Sequence, residues 1–551
     1  MTILAKSSAE LSLESVRSLY DQLSVHLKDL SVLQGITRLL FWDQETMMPA
    51  KAAPIRAQQL SVLAGLTHEA EISPVLGSLI EEFEKRKLTE DLHKELNPYE
   101  LANIRLATKA YKEKTLLPIE LVKAIATLNS EAVIAWAEAR KESDFSKFAP
   151  FLEKQIKILR QAASHKIQDR AYAEARKINK KARASLGLKE GEECYKGYYQ
   201  VLLNTYEAGF KDAHLQVLFA DLKKSIIPLI AKIKAKEFHH DRSFIQGDWD
   251  IQKQVEFSTR ISKEIGFDTE AGRLDVSTHP FSGGAHPTDV RMTTRYIIDN
   301  FQEGITGTIH ETGHSLYEQG RNKEYDNLPV SQSLSLGIHE SQSLLWERMV
   351  GLNKPFWTYA LPHLKAQFSG SSHENLQSAS LEQFYNAFNR VDPGFIRVEA
   401  DEVTYPLHVI LRYEIEKALV EGDISVADVP RIWNAKMKEY LGLDVTEDRL
   451  GCLQDIHWAI GYIGYFPTYT LGSIYAVQIF DAAKEAIPNL EDHLAKGEFH
   501  VLRHWLNKNI HEQGSLSESG EDLIYNLTGR PLDSSLYLRE LTDKYARIYD
   551  L

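Results

Sequence analysis

Residues 11–27 read LSLESVRSLYDQLSVHL, and the spacing of their apolar side chains predicts the fold class of the chain. Five of these side chains recur at intervals of three to five residues, as they would along one helix face: Leu11, Val16, Leu19, Leu23 and Leu27. Because polar residues fill the positions between them, the segment is predicted to be an amphipathic helix with one buried side.

The same periodicity extends well beyond this helix. It recurs in four further segments that are rich in Ala, Leu, Lys and Glu, at about 97–115, 118–141, 148–184 and 212–236. These residue types favour helices, and long helices joined by short polar turns indicate a mostly α protein. No fixed-period repeat or low-complexity linker marks a boundary, so we expect residues 1–551 to form one large helical body.

One segment departs from this pattern. Residues 274–296 read LDVSTHPFSGGAHPTDVRMTTRY, in which Gly283, Gly284 and Pro287 favour turns. From residue 289 onward, the side chains predicted on the polar face, Asp289, Arg291, Thr293 and Arg295, alternate with Val290, Met292, Thr294 and Tyr296. A period of two predicts a strand with one polar face, so a small β-sheet is expected here.

Composition excludes several classes of protein. The 551 residues carry a net charge of −13, which argues against a broad nucleic-acid-binding face. The two cysteines, Cys194 and Cys452, lie far apart, so neither a disulfide framework nor a cysteine-ligated zinc is expected, and a reducing compartment is favoured. Neither a signal-peptide core nor an apolar run of about 18 residues appears. We therefore expect a cytoplasmic protein without a membrane partner.

The most informative motif is His310-Glu311-Thr312-Gly313-His314, within a helical pattern. Residues four apart lie on one face of a helix, so His310 and His314 can bind one metal ion through their imidazole nitrogens. Glu311 is turned roughly 100° around the helix, where its carboxylate could take a proton from an attacking water. This HExxH spacing predicts a metallopeptidase.

A catalytic metal site usually needs a third protein ligand. Tyr317 and Gly320 stand where an extended three-histidine pattern would need glycine and histidine, so that class is excluded. Glu340 lies 26 residues beyond the motif, in a second helical pattern, and could reach the ion. Spacing alone leaves Glu318 and Glu347 as rivals.

Several further motifs occur in a fixed order along nearly the whole chain. They are WDQETMMP at 42–49 with RAQQL at 56–60, HPF at 279–281, DVRMT at 289–293, HETGH at 310–314, HESQ at 339–342, IRVEAD at 396–401 and GCLQDIHW at 451–458. In these motifs the chain closely resembles the M32 family of metallocarboxypeptidases, the thermostable carboxypeptidases of bacteria and archaea. Each motif is weak alone, but their shared order is specific.

This resemblance implies a function and a fold. It makes Glu340 the third ligand of one divalent metal ion per chain, zinc first and cobalt as the alternative. The expected activity is release of C-terminal amino acids, with broad specificity, from peptides that have a free C-terminus. The expected fold is a helical body with a deep substrate groove, similar to neurolysin and angiotensin-converting enzyme. Homodimers are usual, and the helices of residues 1–120 are expected to cover the groove.

The reaction also needs a donor for the developing oxyanion. His457 and the tyrosines of the segment 461–469 are the candidates. By analogy with related helical peptidases we favour Tyr465 or Tyr469. Core packing is the competing explanation for each of them.

A carboxypeptidase must also bind a terminal carboxylate, for which the planar guanidinium of arginine is suited. Arg397 fills the arginine position of the IRxxAD motif and is the first choice, with Arg291 and Arg295 as alternatives. Its acidic neighbours offer a competing structural ion pair: Glu399, Asp401 and Glu402. His279, in the HPF motif, is expected to line the substrate site or to support the fold around it.

Two other functions remain open at this point. A helical oligo-endopeptidase would use the same metal chemistry but would ignore the terminal carboxylate. A non-catalytic scaffold with a structural zinc would have four protein ligands and no use for Glu311 as a base. The HExxH motif with Glu340 predicts only a metallopeptidase, and the carboxypeptidase activity is implied by the resemblance.

Overall fold

The computed structural model describes residues 15–86, 91–189, 192–236, 241–242, 244–245, 247–369 and 373–551. Leu11, the first apolar residue of the predicted N-terminal helix, lies outside these ranges. The helices of the first half are α1 (Val16–Thr46), α2 (Ala53–Glu71), α3 (Pro74–Arg86), α4 (Asp91–Glu95), α5 (Pro98–Thr115), α6 (Ile119–Glu142), α7 (Phe145–Lys166), α8 (Ala173–Leu186), α9 (Tyr198–Tyr206), α10 (Asp212–Ala235) and α11 (Ile251–Ile265).

A small sheet separates these helices from those of the second half. Its strands are β1 (Gly272–Val276), β2 (Ser282–His286) and β3 (Asp289–Thr294). The later helices are α12 (Phe301–Gln319), α13 (Leu336–Leu344), α14 (Lys354–Gln367), α15 (Glu374–Ser378), α16 (Leu381–Phe388), α17 (Tyr405–Glu421), α18 (Val429–Leu441), α19 (Pro467–Ala486), α20 (Leu490–Ala495), α21 (His500–Leu506), α22 (Gly520–Thr528) and α23 (Ser535–Tyr549). The mostly α fold with one small sheet is confirmed.

The apolar periodicity corresponds to buried helix faces. In α1, the apolar face predicted from the sequence is buried: Val16, Leu19, Leu23 and Leu27. The Ser15 hydroxyl accepts a hydrogen bond from the Ser18 amide and caps the first turn of α1. The predicted segment 148–184 contains two helices, α7 and α8, because a short 3₁₀ turn at Arg170–Tyr172 interrupts it.

The buried apolar side chains form one large core and a smaller N-terminal one. The large core extends from α6 to α23 and includes the inner faces of α12, α13 and α19. The smaller core joins α1, α3 and α5 to the segment 325–330. Helix α1 also approaches strand β2 closely, since a Cβ at Gly35 would lie 2.8 Å from the Ala285 carbonyl oxygen.

The sheet has the order β1-β3-β2, with β1 parallel and β2 antiparallel to β3. The predicted alternation places Val290 and Met292 in a small apolar cluster. Thr293, expected on the polar face, is buried. Its hydroxyl is satisfied there, since it accepts from the Ser277 hydroxyl at 2.7 Å and from the Phe281 amide at 3.0 Å. Helix α12 packs against β2 and β3. The sheet therefore lies beside the HExxH helix, as predicted.

Cys194 and Cys452 are both buried, and neither is in a disulfide. Within the part of the chain that the structure describes, no helix combines the length and the apolar character needed to cross a membrane.

Candidate metal centre

Helix α12 carries the HExxH motif into the core. It begins after Asn300, whose side-chain oxygen accepts a hydrogen bond from the Glu303 amide. One turn separates His310 and His314, and their ring centroids lie 5.0 Å apart. Both imidazoles therefore reach the same side of the helix, as the spacing of four residues predicts.

Helix α13 brings Glu340 to these two rings. A Cβ at Gly313 would lie 2.7 Å from the Ser343 Cα, so glycine permits α12 and α13 to touch. On the opposite side, a Cβ at Gly472 in α19 would lie 2.7 Å from the Glu340 Cγ. Glu340 is thus held between two closely packed helices.

The side chains of His310, His314 and Glu340 converge. Their candidate ligand atoms all lie within 4.8 Å of one another. Nε2 of His314 is 3.3 Å from one carboxylate oxygen of Glu340, and Nε2 of His310 is 3.8 Å from the other. Ligand atoms that bind a tetrahedral ion at about 2.0–2.2 Å are roughly 3.3–3.6 Å apart, so this donor set fits a divalent metal ion.

Glu347 lies behind His310 rather than in the cluster. Its carboxylate is 2.7 Å from Nδ1 of His310, which directs Nε2 of that ring toward Glu340. A carboxylate that accepts from the outer nitrogen of a liganding histidine orients the ring and raises its basicity. This arrangement distinguishes Glu347, one of the three possible third ligands, from Glu340.

Glu318 lies still further out, behind a second imidazole. Nδ1 of His314 is 2.6 Å from Nδ1 of His339, and Nε2 of His339 is 2.9 Å from Glu318. Glu318 also pairs with Arg321. Burial alone would raise the pKa of Glu318, but Arg321 and His339 lower it well below its usual value. The anionic Glu318 can therefore accept from His339, which leaves Nδ1 of His339 to accept from His314.

Charges in the cluster favour an anionic Glu340. Burial would raise the pKa of Glu340, but the neighbouring His310 and His314 lower it to about 2. Burial would likewise lower the pKa of His310, but Glu340 and Glu347 raise it to about 9. Without a metal ion, these carboxylates hold a proton on His310 that a cation would have to displace.

Glu311 follows His310 in α12, and its negative charge acts on the His310 ring. The residue is only 5% exposed, and its Oε2 atom is buried without a hydrogen-bond partner among the described residues. The Ser282 hydroxyl of β2 donates to the Glu311 backbone carbonyl at 3.0 Å, which ties this turn of α12 to the sheet. A buried carboxylate oxygen without a donor is costly unless something else hydrogen-bonds to it.

The three predicted donors cluster beside Glu340. The rings of Tyr465 and Tyr469 lie 5.4 Å apart, and Nε2 of His457 is 3.1 Å from the Tyr469 hydroxyl. Burial is the main cause that raises the pKa of both phenols, and the Glu340 carboxylate raises it further. Both phenols therefore stay protonated at neutral pH. Burial also lowers the pKa of His457 to about 3, so this ring is neutral.

Arg397 lies in a buried charge cluster next to these tyrosines. Its Nε and Nη2 donate to one oxygen of Asp455 at 3.0 and 2.8 Å, and Arg412 donates to the other oxygen at 2.6 Å. Its guanidinium carbon lies 4.7 Å from the Tyr469 ring centroid. The competing structural ion pair is therefore real, but its partner is Asp455 rather than the three acidic neighbours in sequence.

The remaining predicted substrate residues lie near the sheet. Arg291 pairs with Asp289 and stacks on Trp42 at 4.3 Å, while Arg295 pairs with Glu303. His279 is exposed in the turn between β1 and β2. Among the described residues, no hydrogen bond or ion pair joins the His279 ring or the two arginine side chains to the metal cluster.

Comparison with known proteins identifies the family. The family model "Carboxypeptidase Taq (M32) metallopeptidase" matches residues 22–545. Thermostable carboxypeptidase 1 of Thermus thermophilus is 36% identical over 530 residues, which cover 96% of this chain and 99% of that protein. Carboxypeptidase 1 of Bacillus subtilis is 37% identical, over 95% and 97% of the two chains. This chain belongs to the M32 family.

Solved carboxypeptidase structures agree with this assignment. The M32 carboxypeptidase from Deinococcus radiodurans is similar with a TM-score of 0.87 and 31% identity, over 97% of this chain and all (100%) of that one. Metallocarboxypeptidase 1 of Trypanosoma cruzi gives a TM-score of 0.85 and 32% identity, over 97% and 99%. The protein is therefore a metallocarboxypeptidase, a divalent-metal-dependent hydrolase that acts on peptides.

The M32 motifs contain contacts that sequence reasoning missed. Asp455 belongs to the GCLQDIHW motif, and its ion pair with Arg397 does not follow from the motif itself. His339 belongs to the HESQ motif and lies between His314 and Glu318. In the WDQETMMP motif, Asp43 accepts from Arg56 of the RAQQL motif at 2.6 Å. Each of these motifs therefore encodes a polar contact as well as a local conformation.

Proposed function

We propose that this M32 enzyme removes C-terminal amino acids by attack of a water molecule, with His310, His314 and Glu340 as ligands of one zinc ion. The observation that carries the proposal is the convergence of these three side chains, with the unpartnered Oε2 of Glu311 one residue along the same helix. The bound ion would supply Lewis acidity, which polarises the scissile carbonyl and lowers the pKa of water toward about 7.

Glu311 acts as the base in this proposal. Its Oε2 accepts the proton of the attacking water and later delivers that proton to the nitrogen of the leaving amine. Burial of the carboxylate limits competing hydrogen bonds with bulk water. Tyr465 or Tyr469 donates its hydroxyl proton in a hydrogen bond to the developing oxyanion, and His457 positions Tyr469 through their 3.1 Å contact.

Arg397 binds the terminal carboxylate of the substrate. Two buried guanidinium groups, Arg397 and Arg412, share the single carboxylate of Asp455, so the cluster carries one excess positive charge. Nη1 of Arg397 makes no hydrogen bond to any other described residue, so it remains a donor for a second carboxylate. An anionic substrate end would offset the excess charge, which is costly in a buried site.

Five further assignments belong to the same proposal. Zinc is preferred to cobalt because two imidazoles and one carboxylate form a common catalytic zinc site. We also propose a homodimer, a cytoplasmic location and one domain over residues 1–551. The helices of residues 1–120 cover the substrate groove in this proposal, and the packing of α1 against β2 next to the HExxH helix supports that position.

A timed digestion of one peptide tests the proposal. The peptide is supplied with a free and with an amidated C-terminus, and the products are followed by mass spectrometry before and after metal removal. We expect the free-acid peptide to give a ladder of products, each one residue shorter at the C-terminus, and the amidated peptide to be cleaved little. Removal of the metal by a chelator should abolish cleavage of either peptide. Zinc should restore the ladder.

Two other outcomes would contradict parts of the proposal. Internal cuts at equal rates in both peptides would identify an oligo-endopeptidase. Absence of cleavage by a protein that binds zinc stoichiometrically would identify a non-catalytic metal-binding scaffold. Restoration by cobalt but not by zinc would retain the mechanism and reject the metal assignment.

A further inference from the structure

A cavity of about 740 Å³ lies between helices α14, α19 and α23. Its lining includes none of the three proposed metal ligands, and neither Glu311 nor Arg397 belongs to it. Ligand sites in proteins commonly have volumes of about 300–1,000 Å³. The cavity is therefore large enough to bind a small molecule.

Arg348 lines this cavity and is an unusual buried cation. The residue is 6% exposed, and its Nη1 donates to the Ser473 hydroxyl at 3.1 Å. Its guanidinium also lies 4.6 Å from the Tyr405 ring centroid. In the described part of the chain, no carboxylate oxygen lies within 4.0 Å of its nitrogens, which leaves most of its five N–H donors without an anionic partner.

Nearby carboxylates act on Arg348 only from a distance. Burial opposes its charge, and Glu347, which lies outside the cavity, acts on it most strongly and raises its pKa, but neither Glu347 nor Glu402 lies within 4.0 Å of its nitrogens. Glu402 is already bound to Lys544 at 2.6 Å and accepts from the Tyr545 hydroxyl at 3.0 Å. The Tyr537 hydroxyl is buried in the same wall and has no hydrogen-bond partner among the residues that the structure describes. Buried N–H and O–H donors without an acceptor are costly, and one bound anion would accept from both groups.

The rest of the lining limits the kind of anion. Val477, Phe480 and Leu541 provide an apolar wall. Glu491 and Asp492 are exposed in the lining and form no ion pair with other described residues. The lining also carries Arg547 and three lysines that are already paired, Lys354 with Glu382, Lys484 with Glu540 and Lys544 with Glu402. An anion with an apolar group and a positively charged amine matches the Arg348 guanidinium, the apolar wall and the two unpaired carboxylates.

We propose that this cavity binds an apolar α-amino acid, free or at the end of a short peptide, through a carboxylate hydrogen-bonded to Arg348 and the Tyr537 hydroxyl. The apolar side chain packs against Val477 and Phe480, and the amino group faces Glu491 and Asp492. The cavity is thus a second amino-acid site, distinct from the proposed site of hydrolysis. Only the interpretation of the bound amino acid as a reaction product depends on the proposed function.

Binding is measured by equilibrium dialysis of the metal-loaded full chain. The parent protein carries Glu311→Gln, which prevents cleavage, and Arg397→Ala, which removes the proposed carboxylate site of the active centre. The probes are leucine, leucinamide and the dipeptide Gly-Leu. We expect saturable binding of one leucine per chain and none of leucinamide. Comparison of leucine with Gly-Leu decides whether the ligand is a free amino acid or a peptide end.

Two further substitutions locate the binding. Arg348→Gln should abolish leucine binding, and Tyr537→Phe should weaken it about tenfold or more, because each removes a donor to a charged group. Tyr537→Phe removes a hydroxyl that has no partner, so the fold and metal content should persist even if Arg348→Gln fails to fold. An exposed control, Glu324→Gln, should bind leucine normally.

The inference is overturned if leucine and leucinamide bind equally, if Tyr537→Phe binds as tightly as its parent, or if no saturable binding occurs up to about 10 mM. These results would leave the proposed peptidase intact, because digestion is measured separately on the unsubstituted enzyme. Conversely, leucine binding that depends on Arg348 would persist in a protein that cleaves no peptide.

Discussion

The two ends of the proposed site are held in different ways. At the metal end, the proposed ligands lie on α12 and α13, which touch through Gly313, and a carboxylate hydrogen-bonds to the outer nitrogen of His310. At the arginine end, Arg397 lies in a 3₁₀ turn outside the long helices. It is held by Asp455, 58 positions along the chain.

The two ends of the site should therefore respond differently to substitution. The chemistry of the metal end depends on side chains that helix geometry fixes relative to one another, so a single substitution should change the chemistry and leave the fold. The arginine end depends on a shared buried charge, so substitution there should change substrate preference and also stability. The four predictions below test this contrast, beginning with the largest effect.

Replacement of Glu311, the proposed base, should have the largest effect. Glu311→Gln keeps the shape of the side chain but removes the proton acceptor, so kcat should fall by about 10²–10⁴-fold. Metal content, measured by elemental analysis, should not change, because Glu311 is not a proposed ligand. The exposed Glu324→Gln is the matched control. Near-normal turnover in a metal-loaded Glu311→Gln enzyme would show that another group takes the proton.

The contrast also explains which features the sequence could predict. The helix face of α1 and the position of His310 and His314 depend on neighbours three or four residues away, and both were correctly predicted. Glu340 could not be chosen over Glu347 by spacing, because a π-helical turn at Leu345–Gly351 follows α13 and no periodicity rule anticipates it.

Contacts between segments that lie far apart along the chain could not be predicted from the sequence. The bond between Arg397 and Asp455 requires the mutual position of two loops, whereas local reasoning could only offer the acidic side chains next to Arg397. Thr293 was assigned to a polar face by alternation, but its hydroxyl is satisfied inside the fold. A period of two predicts the direction of a side chain and not whether the sheet face is covered.

Replacement at the arginine end should change substrate discrimination. Arg397→Ala should lower kcat/KM for free-acid peptides on the order of 100-fold, because a charge-assisted pair to the carboxylate is lost. Amidated peptides should be affected much less. Arg291→Ala, at the alternative arginine, serves as the control and should leave the ratio of kcat/KM for free-acid peptides to kcat/KM for amidated peptides unchanged. Equal losses on both peptides in Arg397→Ala would assign this arginine to structure alone.

Loss of the carboxylate behind His310 should have an intermediate effect. Glu347→Gln retains the size of the side chain but removes its charge, so zinc affinity should fall about 10–100-fold, as for other groups that orient a liganding histidine. Competition with a chromogenic chelator measures this change. Arg397→Ala should bind zinc normally, which makes it the control from the opposite end. Equal weakening in both variants would contradict the independence of the two ends.

The smallest effect is a proton released when the metal binds. Glu340 and Glu347 raise the pKa of His310 to about 9, so at pH 7 the ring is protonated in the metal-free protein and must lose that proton to become a ligand. Calorimetry of zinc binding in buffers with different ionisation enthalpies should therefore show about one proton released at pH 7. The release should decline as the pH rises through about 9, while zinc affinity increases up to that point.

Glu347→Gln should reduce the proton release at pH 8, because one of the two carboxylates that hold the proton has lost its charge, whereas Arg397→Ala should not alter it. Zinc binding without any proton release at pH 7 would show that His310 is already neutral, and the carboxylates would then only orient the ring.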